Sequence, residues 1–141
     1  MNVKGKFFFI DDDKNEHDLF KKALAKYCNN EVVSAYNGEE AYEMLKVMKD
    51  SIFIIICDVN MPRVNGLELK RMIEGTPELK LRAIPFVFHS THDSGIVVKE
   101  AYSLGIQGFI KKSDDMLQSV SNLEELIRFW GSIVHPNSVM D

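Results

Sequence analysis

The sequence predicts an α/β fold of the (βα)5 type, a doubly wound five-stranded parallel sheet. Five short apolar runs, 6–10 (Lys6 to Ile10), 31–35 (Glu31 to Ala35), 52–57 (Ile52 to Cys57), 86–89 (Phe86 to His89) and 108–110 (Gly108 to Ile110), recur at wide intervals. These runs are nearly continuous rather than alternating, which is how strands read when helices cover both faces of a parallel sheet. The intervals hold amphipathic segments of helix length, and strands alternating with helices demand right-handed crossovers.

The first crossover helix covers 14–27, where Leu19, Phe20, Ala23, Leu24 and Tyr27 recur at helical spacing. Asn37-Gly38 makes a turn, Glu39 and Glu40 an acidic first turn, and Ala41, Leu45 and Met48 an apolar stripe, so a second helix begins there. The third, 66–73, carries Leu67, Leu69, Met72 and Ile73 and is stopped by Gly75-Thr76-Pro77. A fourth runs from Ser94 to Leu104 and is closed by Gly105. The fifth, 121–134, places Leu123, Leu126, Ile127, Trp130 and Val134 on one side; the connection before it, 113–121, reads as an unusually long loop. With no linker or repeat in view, 1–141 is expected to be a single domain with a core over about 5–134 and a polar tail at 135–141.

Composition excludes several functions. A formal charge of -4 argues against a surface built to grip a phosphate backbone, so no direct nucleic-acid binding is expected. The longest apolar runs, 7–10 and 52–57, fall far short of the ~18 residues of a spanning helix, and the N-terminus lacks a secretory h-region. Membrane insertion and export are therefore not expected. Cys28 and Cys57 show no CxxC spacing and read as buried, reduced thiols of a cytoplasmic protein.

Sheets of this kind place their sites at the carboxyl ends of the strands. The polar residues at those ends are Asp11, Asp12 and Asp13, then Asp58, then Ser90 and Thr91, then Lys111 and Lys112. Carboxylates crowded after neighbouring strands repel one another, and a hard divalent cation such as Mg2+ answers that repulsion. A solvated loop capping the next helix is the alternative for the aspartate run. Both roles fit if Asp13 caps the helix and Asp11 and Asp12 face the metal. His17, His89 and His135 lack metal-ligand spacing and read as structural or surface residues.

The stretches FFFIDDD, CDVNMPRVNG, HST and FIKK, in this order at successive strand ends, resemble the receiver domains of two-component response regulators over nearly the whole chain. The resemblance implies a CheY-like, flavodoxin-like fold and a phosphorylation-activated switch rather than a classical enzyme. By position, Asp58 matches the phosphoacceptor, and Asp11 and Asp12 match the acidic pair that binds Mg2+. Asn60 matches the residue whose backbone carbonyl completes the metal site, and Lys112, three after Phe109, matches the conserved-type lysine. The pleat sends Lys111 and Lys112 to opposite faces, so one of them reaches the cleft. Ser90 and Phe109 match the switch pair, with output through the face formed by the fourth helix, fifth strand and fifth helix. The partners so implied are a sensor histidine kinase or histidine phosphotransfer protein and a separate downstream protein, with phosphorylation-dependent homodimerisation through the output face as a further mode.

Two positions depart from the family pattern. Ser113 stands where receivers commonly have proline, so the residue that sets the aim of Lys112 differs from the family's. Thr91 replaces a small residue, which implies a narrowed path for water and a longer-lived phosphoryl group. His92 and Asn60 occupy positions at which receivers vary their dephosphorylation rate. Two rival readings share the topology: a haloacid-dehalogenase-type phosphatase using Asp11 and Asp13, which leaves Asp58-Val59-Asn60-Met61-Pro62 unexplained, and a flavodoxin-like nucleotide or flavin binder, for which no glycine-rich phosphate loop follows the first strand.

Overall fold

The computed structural model describes residue 1 and residues 3–138. Its strands are β1 (Lys6–Ile10), β2 (Val32–Ala35), β3 (Ile52–Cys57), β4 (Phe86–Ser90) and β5 (Gly108–Lys111). All neighbours pair in parallel in the order β2-β1-β3-β4-β5. Chain order reverses direction at β1, with β2 on one side and β3 on the other, so a crevice opens beyond the carboxyl ends of β1 and β3.

The helices are α1 (Lys14–Ala25), α2 (Gly38–Val47), α3 (Gly66–Glu74), α4 (Pro77–Lys80), α5 (Gly95–Ser103) and α6 (Met116–Ser132). Phe7, Phe9, Ile54, Ile56 and Val87 face α1 and α6, where they meet Phe20, Leu24, Leu123 and Ile127. Phe8, Ile10, Ile55, Phe86 and Phe88 point the other way, against Leu45 of α2, Leu69 and Ile73 of α3 and Ala101 of α5. Covering both faces is why β1 and β3 are near-continuous apolar runs, and each of Phe7 to Ile10 is at most 1% exposed.

The structure corrects the sequence reading in three places. Pro77 ends α3 as expected but also opens the short helix α4, since the N–H that proline lacks at a first helical position has no partner to lose. The segment 113–121 is not a long loop: α6 starts at Met116, with the Asp115 carboxylate accepting from Leu117 N at 2.9 Å as its N-cap. The tail is not merely a polar end. His135 is buried and stacks on Phe53 with ring centroids 4.2 Å apart, and Pro136–Ser138 forms a 3-10 turn. Asn137 Nδ2 donates to the Lys4 and Ile52 carbonyls, fastening this turn under the amino ends of β1 and β3. Residues 139–141 lie outside the described residues.

Two glycines set how closely elements approach near the crevice. A Cβ on Gly66 would lie 2.2 Å from the Asp58 carbonyl oxygen and 2.7 Å from the Phe88 ring, so no side chain fits where α3 starts. A Cβ on Gly38 would meet the Val64 carbonyl oxygen at 2.3 Å, which brings the start of α2 against the same loop. Asn65 and Glu68 form a reciprocal capping box on α3, so the chain leaving β3 is held at both glycine and cap.

Candidate functional site

Asp11 and Asp58 are set side by side by the ladder itself. Asp11 N donates to the Ala35 carbonyl at 3.1 Å, and Asp58 N donates to the Ile10 carbonyl at 2.9 Å. Both side chains emerge on the α1/α6 side and are nearly inaccessible, 1% for Asp11 and 7% for Asp58. Asp12 is exposed at the mouth of the crevice. One carboxylate oxygen from each of Asp11, Asp12 and Asp58 lies within 4.8 Å of the others, a donor set of oxygen atoms that suits a hard divalent cation. Asp13 takes no part in this group: its carboxylate accepts from Asn15 N at 2.9 Å as the N-cap of α1. That removes the second carboxylate on which the phosphatase reading depends.

Lys112 is the cation of the site. Its N–H donates to the Ser90 carbonyl at 2.9 Å, continuing the β4-β5 ladder, and its Nζ lies 2.8 Å from Asp11 Oδ2 and 3.1 Å from Asp58 Oδ2. Lys111 points away and pairs at 3.3 Å with Asp93 in solvent. Ser113, in place of the usual proline, is tied by hydrogen bonds. Ser113 N donates to Ser119 Oγ at 3.0 Å, and Ser119 Oγ donates back to the Ser113 carbonyl at 3.1 Å. A serine in the first turn of α6 thus anchors the residue that follows Lys112.

Burial is the strongest influence on Lys112 and would lower its pKa, but the hydrogen bonds and charges of Asp11 and Asp58 outweigh it, and the pKa is raised. Burial likewise dominates at Asp11 and pushes its carboxyl from 3.8 to about 6, against the hydrogen bonds of Lys112 and Asp13. The partners gain unequally from their pairing because Asp11 is the deeper group and faces a second carboxylate. Glu16, from the first turn of α1, is a further carboxylate at the edge of the site; burial raises its pKa, with the charges of Asp13 and Asp58 adding to the rise.

Ser90 is fully buried, and its Oγ accepts from His92 N at 3.1 Å. Phe109 is half-buried, with its ring 5.8 Å from that of Phe88. Asn60 and His92 are exposed, and Thr91 is exposed in a cleft it shares with Lys112 and Ser113.

Three histidines expected to be structural or surface residues are all buried. His17, on the inward stripe of α1, donates from Nε2 to the Asp11 carbonyl at 2.8 Å and accepts from Ser34 Oγ at 3.0 Å through Nδ1. A carbonyl can only accept, which fixes that tautomer. His135 has both nitrogens paired, Nε2 with the Phe53 carbonyl and Nδ1 with Asn137 N. His89 has neither nitrogen paired among the described residues. Burial, followed by the charge of Lys112, lowers its pKa to about 4, so its ring is neutral near pH 7. Leaving a buried polar group unpaired costs about 1–3 kcal/mol.

Comparison with known proteins follows the same lines. A family model described as "Response regulator receiver domain" matches residues 7–124. The transcriptional regulatory protein CrdR of Helicobacter pylori is 32% identical over 114 residues, 81% of this chain and 51% of that protein. A chemotaxis protein CheY homolog of Campylobacter jejuni is 29% identical over 107 residues, 76% of this chain and 80% of that protein. The chain thus spans about half the length of the first of these relatives and four-fifths of the second. Among solved structures, the phosphorylated cyanobacterial phytochrome response regulator RcpA superposes with a TM-score of 0.87 at 28% identity, covering 95% of this chain and 99% of that one. The Mn(2+)-bound response regulator Rcp1 superposes with a TM-score of 0.86 at 22% identity, covering 94% and 99%, a likeness of fold.

Proposed function

Because the chain belongs to the response regulator receiver domain family, we propose that it is a phosphorylation-activated switch in which Asp58 accepts a phosphoryl group from a sensor histidine kinase or a histidine phosphotransfer protein. The observation that carries this reading is the placement of Asp58 Oδ2 3.1 Å from Lys112 Nζ, in a cleft shared with the Asp11 and Asp12 carboxylates.

The chemistry asked of the residues is modest. An Asp58 carboxylate oxygen attacks phosphorus, a P–O bond forms, and the P–N bond of a phosphohistidine breaks, returning the electron pair to the imidazole. Lys112, held protonated by its two carboxylate neighbours, balances the negative charge that develops on the phosphoryl oxygens. The donor set fits Mg2+, which Asp11, Asp12 and Asp58 would hold with the Asn60 backbone carbonyl, and which supplies further charge neutralisation when bound. Water attack on phosphorus then reverses the modification, which makes the domain regulatory rather than a classical enzyme. Exposed Thr91 stands beside this path and slows it in the proposed scheme.

Switching is proposed to run through Ser90 and Phe109. For Ser90 to donate to a phosphoryl oxygen, its loop must adjust around the existing contact with His92 N. Phe109, half-buried against Phe88, is free to take a more buried rotamer when that loop moves. The output surface is then α5-β5-α6, where Ile96 is 83% exposed and Tyr102 and Phe129 are also open. It is proposed to receive a separate downstream protein, or a second copy of the chain, in the cytoplasm. Among the described residues no helix is long and apolar enough to cross a membrane.

The test is a Mg2+ titration followed by backbone amide NMR, then loading with beryllofluoride. Mg2+ should shift residues after β1 and β3, and Asp11→Asn or Asp12→Asn should weaken that response. Loading should move Ser90, Phe109 and the α5-β5-α6 face. Shifts spread evenly over the surface, or absent from the cleft, would refute the reading.

A further inference from the structure

The register of the sheet places an unexplained polar ring against the phosphoacceptor. Cys57 of β3 pairs with Phe88 of β4, so the next residues in register are Asp58 and His89. On its other side His89 pairs with Ile110. Val87 and Ile110 belong to the cluster facing α1 and α6, and His89, two after Val87, points to the same side. Its ring lies 6.5 Å from that of Phe9 and is subject to the charges of both Lys112 and Asp58. It is 1% exposed.

Aliphatic and aromatic residues fill this face elsewhere, so a valine or isoleucine would serve packing better than an unpaired imidazole. The other buried histidines have both nitrogens bonded; the one without partners among the described residues adjoins Asp58. A neutral ring carries one N–H and one lone pair. Resting on the phosphoacceptor reading above, we propose that His89 is a positioning residue for the loaded site: once Asp58 is phosphorylated, the His89 ring N–H hydrogen-bonds an oxygen of the phosphorylated Asp58 side chain and holds the acyl phosphate in place. His89 forms no bond to phosphorus and transfers no proton. It stabilises the phosphorylated form from beneath, opposite the side that Ser90 serves.

The experiment combines ring-nitrogen NMR with variants. In protein labelled with 15N-histidine, the His89 ring resonances should change on loading with Mg2+ and acetyl phosphate or beryllofluoride, whereas those of His135, at the far end of the sheet, should not. His89→Val should fold with an unloaded melting midpoint at or above that of the parent, yet lose its phosphoryl group about 3- to 10-fold faster, the worth of one net hydrogen bond. His89→Asn, which keeps an N–H donor, should recover a lifetime within about twofold of the parent. Resonances already those of a hydrogen-bonded ring and unchanged by loading would overturn the proposal, since the partner would then be a resident water. So would a His89→Val lifetime equal to the parent's, or a variant that is merely less stable. If the parent itself takes up no phosphoryl group, the receiver reading fails together with this one; if it does and His89 is indifferent, only this inference falls.

Discussion

Replacing Lys112 with methionine keeps the stem and removes the charge, so it isolates what the cation does for the two carboxylates beneath it. At 2.8 Å from Asp11 and 3.1 Å from Asp58, the ammonium interacts with each by about 5–6 kcal/mol at an effective dielectric constant of about 20. Much of that offsets desolvation, since Lys112 and both aspartates have side chains no more than 13% exposed. Breaking such a pair from one side costs about 3–5 kcal/mol. A loss near 3 kcal/mol is expected at neutral pH, because Asp11 can take up a proton. In urea unfolding this is a midpoint shift of about 1–2 M.

The pH dependence has a definite sign. Asp11 moves from 3.8 to about 6 on folding, so the native state binds its proton more readily than the unfolded chain. Its penalty is fully present above about 6 and is relieved as pH falls toward 4, an effect of about 3 kcal/mol. Lys112, whose pKa is raised, contributes stability that is complete below its ordinary 10.5. Without it, burial acts on Asp11 with less opposition and the relief begins at higher pH. The gap between parent and Lys112→Met should therefore widen from about pH 5 to about pH 8 and shrink when Mg2+ is added. Equal midpoints at neutral pH without Mg2+, or a gap indifferent to both pH and Mg2+, would refute the electrostatic account.

Gly66→Ala should force the start of α3 away from Asp58, costing about 2 kcal/mol or more in a thermal melt and slowing phosphorylation together with it. Ser119→Ala removes two hydrogen bonds to Ser113 and should cost about 1–2 kcal/mol; it should also slow phosphoryl uptake by loosening Lys112, as measured by adduct formation over time. His135→Ala should cost about 2–3 kcal/mol through the lost stack on Phe53 and the lost bonds, while leaving the rate of phosphorylation unchanged at the opposite end of the sheet.

What could be read from the sequence follows from which signals are local. Apolar runs such as Ile52–Cys57 and the polar residues immediately after them are contiguous in the chain, so strand ends, Asp11, Asp58 and Lys112 were all visible before any geometry. Capping by Asp13 was visible for the same reason. The start of α6 was not, because Met116 and Leu117 are 64% and 80% exposed and contribute no inward stripe to the first turn. The Pro77 signal was ambiguous, since proline both ends one helix and suits the first position of the next. The bond between Ser113 and Ser119 joins residues six apart across a helix start, and the docking of Asn137 onto Lys4 spans 133 residues. Sequence patterns carry no trace of such pairings. Nor does a histidine in an apolar run reveal whether its nitrogens find partners, which separates His17 and His135 from His89.

The most direct measurement is intact mass after incubation with acetyl phosphate, with and without Mg2+, followed by fragmentation to locate the modification. The account predicts a single phosphoryl group on Asp58 that requires Mg2+, is lost with time, and is absent from a folded Asp58→Asn variant. A folded parent that takes up no phosphoryl group, or one that carries it on another residue, would contradict the assignment of Asp58 as the phosphoacceptor.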